Sequence, residues 1–186
     1  EKLFEPLGMR RTSYLWHDKF NQDIAYGHNT TGERYEKDKD NEPRSASTME
    51  STARDLTTIM EAVLQKKILN KTSRNELMKT QIRIRSAAQF GPFSKIQTSE
   101  NDHIKLGYGL GWGVLHSPYG IAIFKEGHGD GFQHYSILYP EAGIGVMILS
   151  NSDNAESIFK ELLEVTIGDV YTPWKWEGYL PFNMKK

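Results

Sequence analysis

Three short apolar runs follow one another in the second half of the chain, at residues 121–124, 135–139 and 144–149. Each has the length and the β-branched and aromatic content of a strand that is buried in a sheet. A glycine-rich turn separates the first two runs, and the turn Pro140-Glu141-Ala142-Gly143 separates the last two. Because connections this short join antiparallel neighbours, the pattern predicts an antiparallel meander of strands.

Helical spacing of apolar residues dominates residues 45–85. Ser51 or Thr52 is predicted to cap the first helix, with Asp55 completing a capping box. The core-facing stripe of this helix recurs at spacings of three, four and seven residues and consists of Leu56, Ile59, Met60, Val63 and Leu64. A second helix is predicted at about residues 73–81.

The remaining segments complete a fold of the α+β class, an antiparallel meander with flanking helices. A further amphipathic helix is predicted after the cap Ser152-Asp153-Asn154, and a tryptophan- and proline-rich tail is predicted to lie across the surface. One domain is expected over residues 1–186. It would have a loop and helical part at 1–104, strands with the C-terminal helix at 105–168, and the tail at 169–186.

Residues 108–114 alternate glycine with larger side chains and are predicted to form a further strand. Glycine at every second position leaves one face of a strand nearly bare. Two interpretations remain open. Either a ligand or another backbone approaches this face, or the strand is twisted and tightly packed against its neighbours.

Composition limits the function classes. The chain has 186 residues, 38% of them hydrophobic, and its net charge of −1 favours no contact with nucleic acid. It has no cysteine, which excludes disulfides and thiolate metal sites, and no apolar run long enough to span a bilayer. The histidines show no metal-binding spacing, so neither a metal nor a cofactor is predicted. Since the chain begins with glutamate, we expect it to be mature, processed or cut from something larger.

Ionisable residues cluster in the glycine-rich turn, where Lys125, His128 and Asp130 lie close together. Charged groups at the tip of a hairpin often present acid–base chemistry to a cleft. His128 is either a general acid–base, because imidazole titrates near neutral pH, or a hydrogen-bonding partner of the turn. The second interpretation, in which Asp130 stabilises the turn, is the one we favour.

Five blocks follow in order along nearly the whole chain. They are Phe4-Glu5-Pro6-Leu7-Gly8-Met9, Ser51-Thr52-Ala53-Arg54-Asp55-Leu56, Tyr108-Gly109-Leu110-Gly111-Trp112, Lys125-Glu126-Gly127, and the run from Gly143 to Ser152. Their order and spacing resemble the C-terminal half of the beta-lactamase-related serine hydrolases. That family includes class C beta-lactamases, D-alanyl-D-alanine carboxypeptidases and related esterases. The resemblance implies that residues 1–186 are the C-terminal part of a beta-lactamase/transpeptidase-like fold, a single partial domain.

The resemblance also implies site residues. The family uses a serine with a lysine three residues on, a tyrosine-x-asparagine loop, and a lysine-threonine-glycine or histidine-x-glycine strand that orients the substrate carboxylate and borders the oxyanion hole. The strand element is carried over as Lys125, Glu126 and Gly127, with Lys125 and Gly127 as catalytic residues. Glu126 replaces the threonine, and its charge would repel a substrate carboxylate. Glu126, His128 and Asp130 are predicted to bind substrate.

The other two family elements have no convincing counterpart in the chain. The one serine–lysine pair at the right spacing, Ser157 and Lys160, lies in the predicted C-terminal helix, and Tyr26-Gly27-His28-Asn29 has one residue too many for the tyrosine loop. In the family both elements precede the Pro-Leu-Gly-Met block. We therefore expect the nucleophile to lie before Glu1 and this chain alone to be inactive. The alternative hypothesis is a non-catalytic remnant that binds a peptide or a partner.

The resemblance further implies partners and a location. The parent enzyme would act on a small-molecule or peptide substrate, without a cofactor, in the periplasm or outside the cell. A sheet that lacks the N-terminal strands of the family would leave an edge uncovered. Because uncovered edges pair with one another, self-association is expected.

Overall fold

A six-stranded antiparallel sheet forms the centre of the protein, and its strand order follows the order of the chain. The computed structural model describes residues 2–39 and 41–181. The predicted meander is confirmed, and shorter strands extend it on one side. The strands are β1 (Ile82–Arg83), β2 (Gly107–Tyr108), β3 (Gly113–Ser117), β4 (Gly120–Gly129), β5 (Phe132–Tyr139) and β6 (Ile144–Ser150).

Helices cover both faces of the sheet. Within the described residues they are α1 (Ala53–Leu64), α2 (Lys71–Met78), α3 (Glu156–Ile167) and α4 (Trp174–Glu177). The α1 side chains Met60 and Val63 pack on one face against Val114, Ile123 and Leu138. The opposite face is covered by α3 and α4, in a core whose largest members include Phe124, Tyr135, Tyr139, Phe159 and Trp174. This two-faced burial explains why the central strands are apolar at nearly every position.

The helix starts are only partly as predicted. Thr52 caps α1 as expected, because its hydroxyl accepts the backbone N–H of Asp55 at 3.2 Å. The Asp55 carboxylate does not complete a capping box; it accepts instead from the backbone N–H of Arg11 and the hydroxyl of Thr12, both at 2.8 Å. It is buried there and ties the N-terminal segment to α1.

The later helix starts also differ from the predictions. Helix α2 begins at Lys71, two residues earlier than predicted, because Asn70 caps it by accepting the backbone N–H of Ser73 at 2.9 Å. Helix α3 has Ala155 at its N-cap and no side-chain cap. Asp153, predicted as part of that cap, instead accepts the hydroxyl of Tyr35 at 2.8 Å.

The prediction of one strand over residues 108–114 is wrong, because a turn at 109–112 separates β2 from β3. Gly111 has a φ of +85°, and the backbone N–H of Gly109 donates to the carbonyl of Trp112 at 2.8 Å. Packing requires glycine at position 113, since a Cβ there would lie 2.2 Å from the ring of Phe124. At this position the tight-packing interpretation is the correct one.

The tail does not simply lie across the surface. Residues 169–181 fold back against the sheet and bury Trp174, Trp176 and Tyr179, each less than 8% exposed. Residues 182–186, the end of the predicted tail, lie outside the described residues. The large aromatic side chains of this segment explain the outcome, because leaving them in water would cost about 1.5–3 kcal/mol each.

None of the helices in the described part of the chain is long and apolar enough to cross a membrane.

Replacing Gly113 by alanine is expected to destabilise the protein by about 1–3 kcal/mol, because the new methyl group would overlap the buried Phe124 ring. Thermal unfolding followed by circular dichroism measures the change. Gly127→Ala is the matched control, since a Cβ there meets no atom within 4 Å, and its effect is expected to stay within about 0.5 kcal/mol. Equal melting temperatures for the two variants would contradict the packing described here.

Candidate active site

Strand β4 extends beyond the end of its neighbour β3. The last residue pair between them joins Gly113 to Phe124, whereas β5 stays paired with β4 as far as Gly129. Residues 125–129 therefore have one edge bonded to β5 and the other edge open. No other backbone in the described part of the chain bonds to that open edge. Its N–H and C=O groups remain available to a ligand that lies alongside.

Consecutive residues of this overhang point to opposite faces of the sheet. Lys125 and Gly127 lie on the α1 and α2 face, opposite Ser136 and His134 of β5, while Glu126 lies on the α3 and α4 face opposite Tyr135. The Nζ of Lys125 donates to the hydroxyl of Tyr108 at 3.1 Å and lies 5.7 Å from the centre of that ring. The lysine is thus exposed but held in place by one aromatic neighbour.

A cleft of about 450 Å³ opens beside the overhang, a volume typical of small-molecule sites. Four of the five predicted site residues line it: Lys125, Glu126, Gly127 and His128. The rest of the lining includes side chains that the sequence did not indicate, namely Gln89, Phe90, Tyr108 and Trp176. The fifth predicted residue, Asp130, is not part of the lining; it is exposed in the two-residue turn between β4 and β5.

The Glu126 carboxylate is held by two uncharged donors. Gln89 Nε2 donates to Oε1 at 2.5 Å, and the hydroxyl of Tyr179 donates to Oε2 at 2.7 Å. Burial, together with the hydrogen bond to Glu126, raises the pKa of Tyr179 well above its ordinary value of 10.0. The phenol therefore keeps its proton at any physiological pH and remains a donor.

His128 is bonded to the tail and to α3 rather than to the turn. Its Nε2 lies 2.6 Å from Glu156 Oε1 and 3.0 Å from the Tyr179 hydroxyl. The turn is held by another carboxylate, because Asp153 Oδ1 accepts the backbone N–H of Gly131 at 3.0 Å. The favoured interpretation, in which His128 bonds to the turn and Asp130 stabilises it, is therefore not the observed arrangement. His128 instead extends a hydrogen-bond chain from Glu126 through Tyr179 to α3.

Glu177 lies buried behind Glu126, with only 7% of its surface exposed. Its Oε1 accepts the hydroxyl of Tyr135 at 3.2 Å, and its Oε2 has no hydrogen-bond partner in the described part of the chain. Burial is the main cause that raises the pKa of Glu177 well above its ordinary value of 4.5, and the nearby charge of Glu126 raises it further. Folding therefore extends the neutral form of Glu177 to higher pH than in the unfolded chain.

The serine–lysine pair in α3 is built as an ordinary part of the helix. Ser157 is 2% exposed, and its hydroxyl donates to the backbone carbonyl of Asn154 at 2.6 Å. Lys160 forms an ion pair with Glu164 one turn further along the same helix. Neither side chain is part of the cleft lining.

No group of three or more potential metal ligands is found within residues 2–39 and 41–181. The described histidines in or near the cleft form hydrogen bonds with other protein groups. His134, for example, accepts the backbone N–H of Ser150 at 3.3 Å.

The family model described as Beta-lactamase matches residues 1–165. This match covers most of the chain, so the chain belongs to the beta-lactamase family, as its sequence blocks predict. A search among curated proteins finds no match.

Solved structures with the same fold include an octameric penicillin-binding protein homologue from Pyrococcus abyssi, which is 21% identical with a TM-score of 0.64 over 90% of this chain and 36% of that one. A beta-lactamase/D-alanine carboxypeptidase from Pseudomonas syringae is 18% identical, with a TM-score of 0.56 over 82% and 47%. A class C beta lactamase is 16% identical, with a TM-score of 0.58 over 81% and 45%. This chain spans less than half of the length of each.

Glu177→Gln is expected to remove a decline in stability with rising pH. Because the folded-state pKa of Glu177 is raised, its stabilising effect is complete below about pH 4.5 and is lost as the pH rises through the folded pKa. The wild-type free energy of unfolding should therefore fall by at most about 1.4 kcal/mol per pH unit from this group, and the variant should not show that fall. Denaturant unfolding at a series of pH values measures it.

Tyr135→Phe is the control for this experiment, since it removes the hydrogen bond but keeps the buried carboxyl, and its decline should persist. Identical pH profiles for the wild type and Glu177→Gln would contradict the raised pKa of the buried Glu177.

Proposed function

We propose that this chain forms the Lys125 wall of the acyl-transfer cleft of a beta-lactamase-like serine hydrolase. The observation that carries the proposal is the overhang of β4, which brings Lys125 and Gly127 to an open strand edge inside a cleft. The family resemblance implies that this strand element orients the substrate and borders the oxyanion hole. The proposed reaction is attack on an amide or ester, formation of an acyl-enzyme and release by water.

The open edge supplies the binding chemistry of this proposal. An extended substrate that lies along residues 125–129 would bond to the backbone groups that β3 leaves unpaired. Gly127 favours a close approach, because the space its Cβ would occupy contains no atom within 4 Å. The Lys125 ammonium supplies positive charge beside the place where negative charge would develop on the substrate carbonyl.

In the same proposal, the nucleophilic serine and its lysine base come from outside these 186 residues. Ser157 and Lys160 do not supply them, since both are engaged within α3 and away from the cleft. The relatives of known structure are more than twice as long as the segment matched here, which leaves room for such a contribution. The chain alone would then bind one side of a substrate without turning it over.

The proposed substrate and location follow from the family. Its members act on small molecules or peptides and are usually exported from bacteria. The chain has no cysteine, which is compatible with a periplasmic or extracellular location. We include that location in the proposal, together with an amide or ester substrate.

The chain alone is expected to show no covalent labelling by a fluorophosphonate and no hydrolysis of a chromogenic cephalosporin or a p-nitrophenyl ester. Intact-mass spectrometry after incubation measures the labelling, with a complete family member of known activity as the positive control. Ser157→Ala is the matched variant, and its mass shift should be the same as that of the wild type, namely none. A fluorophosphonate adduct on any serine of the wild-type chain would overturn the assignment of the nucleophile to another segment.

A further inference from the structure

Glu126 is a cleft carboxylate that forms no ion pair with the described residues. It takes the place at which the family has a hydroxyl, and its two hydrogen-bond donors, Gln89 and Tyr179, are both uncharged. No lysine, arginine or histidine in residues 2–39 and 41–181 forms an ion pair with it. Each of its oxygens accepts one described hydrogen bond, so each keeps capacity for a further donor. A fixed, partly buried carboxylate of this kind favours a positively charged ligand.

Hydrogen-bond acceptors exceed donors around Glu126. Gln89 gives an N–H to Glu126, but its Oε1 is shielded from solvent and accepts no hydrogen bond from the described residues. Unsatisfied buried acceptors are uncommon in folded proteins and often mark the place of a missing donor. An ammonium or guanidinium group would bring several donors to this corner of the cleft.

The positively charged or ionisable side chains nearest to Glu126 in the sequence do not bind its carboxylate. Lys125 lines the same cleft, but its Nζ donates to the hydroxyl of Tyr108 rather than to Glu126. His128 is engaged with Glu156 and Tyr179. The remaining lining includes Ile84 and two further aromatic side chains, Phe90, which is 74% exposed, and Trp176, which is only 4% exposed. Aromatic faces stabilise a cation that is held over them.

We propose that Glu126 and Phe90 form a subsite for a cationic group, an alkylammonium or a guanidinium, on the ligand that occupies the cleft. Because Lys125 lines the same cleft beside Tyr108, the cleft then suits a dipolar ligand whose negative part lies toward Lys125 and whose positive part lies toward Glu126. This inference rests on the proposed function only in treating the cleft as the substrate site.

The test compares three probes that share a benzyl or phenyl group and differ in charge: benzylammonium, benzyl alcohol and benzoate. Each is titrated into the full chain and followed by two-dimensional NMR of backbone amides and of the Gln89 side-chain amide. Benzylammonium is expected to bind about tenfold more tightly than benzyl alcohol, with shifts at Gln89 and residues 126–128, and benzoate more weakly than either near Glu126. Equal affinities for the three probes, or no binding of benzylammonium, would overturn the subsite.

Variants separate Glu126 from general charge effects. Glu126→Gln keeps the shape of the side chain and should lose about tenfold in benzylammonium affinity, with benzyl alcohol unchanged. Glu141→Gln makes the same chemical change in the exposed turn between β5 and β6 and should bind all three probes as the wild type does. Should Glu126→Gln fold poorly by circular dichroism, Phe90→Ala removes the exposed aromatic member of the subsite and should reduce benzylammonium binding several-fold. Wild-type benzylammonium affinity in a folded variant of either kind would refute the proposal.

The two proposals fail in different experiments. An adduct on a serine of this chain would overturn the assignment of the nucleophile and leave the charge preference of the cleft untouched. Loss of that preference would overturn the cationic subsite and leave the Lys125 wall in place.

Discussion

The pairing of β4 with β5 is the interaction on which the rest of the structure depends. It continues through Gly129, five residues beyond the point where β3 stops pairing with β4. Tyr135 of β5 packs against the tail, with the centre of its ring 4.9 Å from that of Trp174. The tail therefore supports the β4–β5 hairpin that carries the site. Without this support the overhang would be a two-stranded ribbon, which is marginally stable on its own. With this support from the tail, the open edge of β4 forms one wall of the cleft.

The alternation of side chains along that wall determines its chemistry. Lys125 and Glu126 leave the strand in opposite directions because the side-chain period of a strand is two, yet both line the cleft and have different partners. In the proposed function, Lys125 orients the substrate. The glutamate face carries a hydrogen-bond chain through Tyr179 and His128 to α3, and it includes the buried Glu177. One strand thus presents opposite charges without an ion pair between them.

The sequence predicts well what depends on local pattern and less well what depends on distant contacts. The three central strands and α1 follow from apolar periodicity, and the family follows from five short blocks. The full length of β4 could not be predicted, because Lys125, Glu126 and His128 interrupt its apolar run and are kept in the strand only by pairing with β5. The turn at residues 109–112 could not be predicted, because glycine alternates there with larger side chains as it can in a strand.

The larger part of the cleft lining lay beyond sequence reasoning for the same reason. Gln89 and Tyr179 reach Glu126 across 37 and 53 residues of chain, and neither belongs to a recognisable motif. The density of tryptophan and tyrosine after Gly168 was the one available signal, because so many aromatic side chains favour burial over exposure. That signal indicates a packed tail, although it does not say what the tail packs against.

Native-state hydrogen exchange at residues 125–129 tests the central claim most directly. In an antiparallel strand, successive residues direct their backbone groups to opposite sides. If β4 is bonded to β5 on one side and open on the other, neighbouring amides in this segment should alternate between slow and fast exchange. Slow exchange at all five amides would show that the edge is covered, and fast exchange at all five would show that the overhang is not formed; either result would contradict the account.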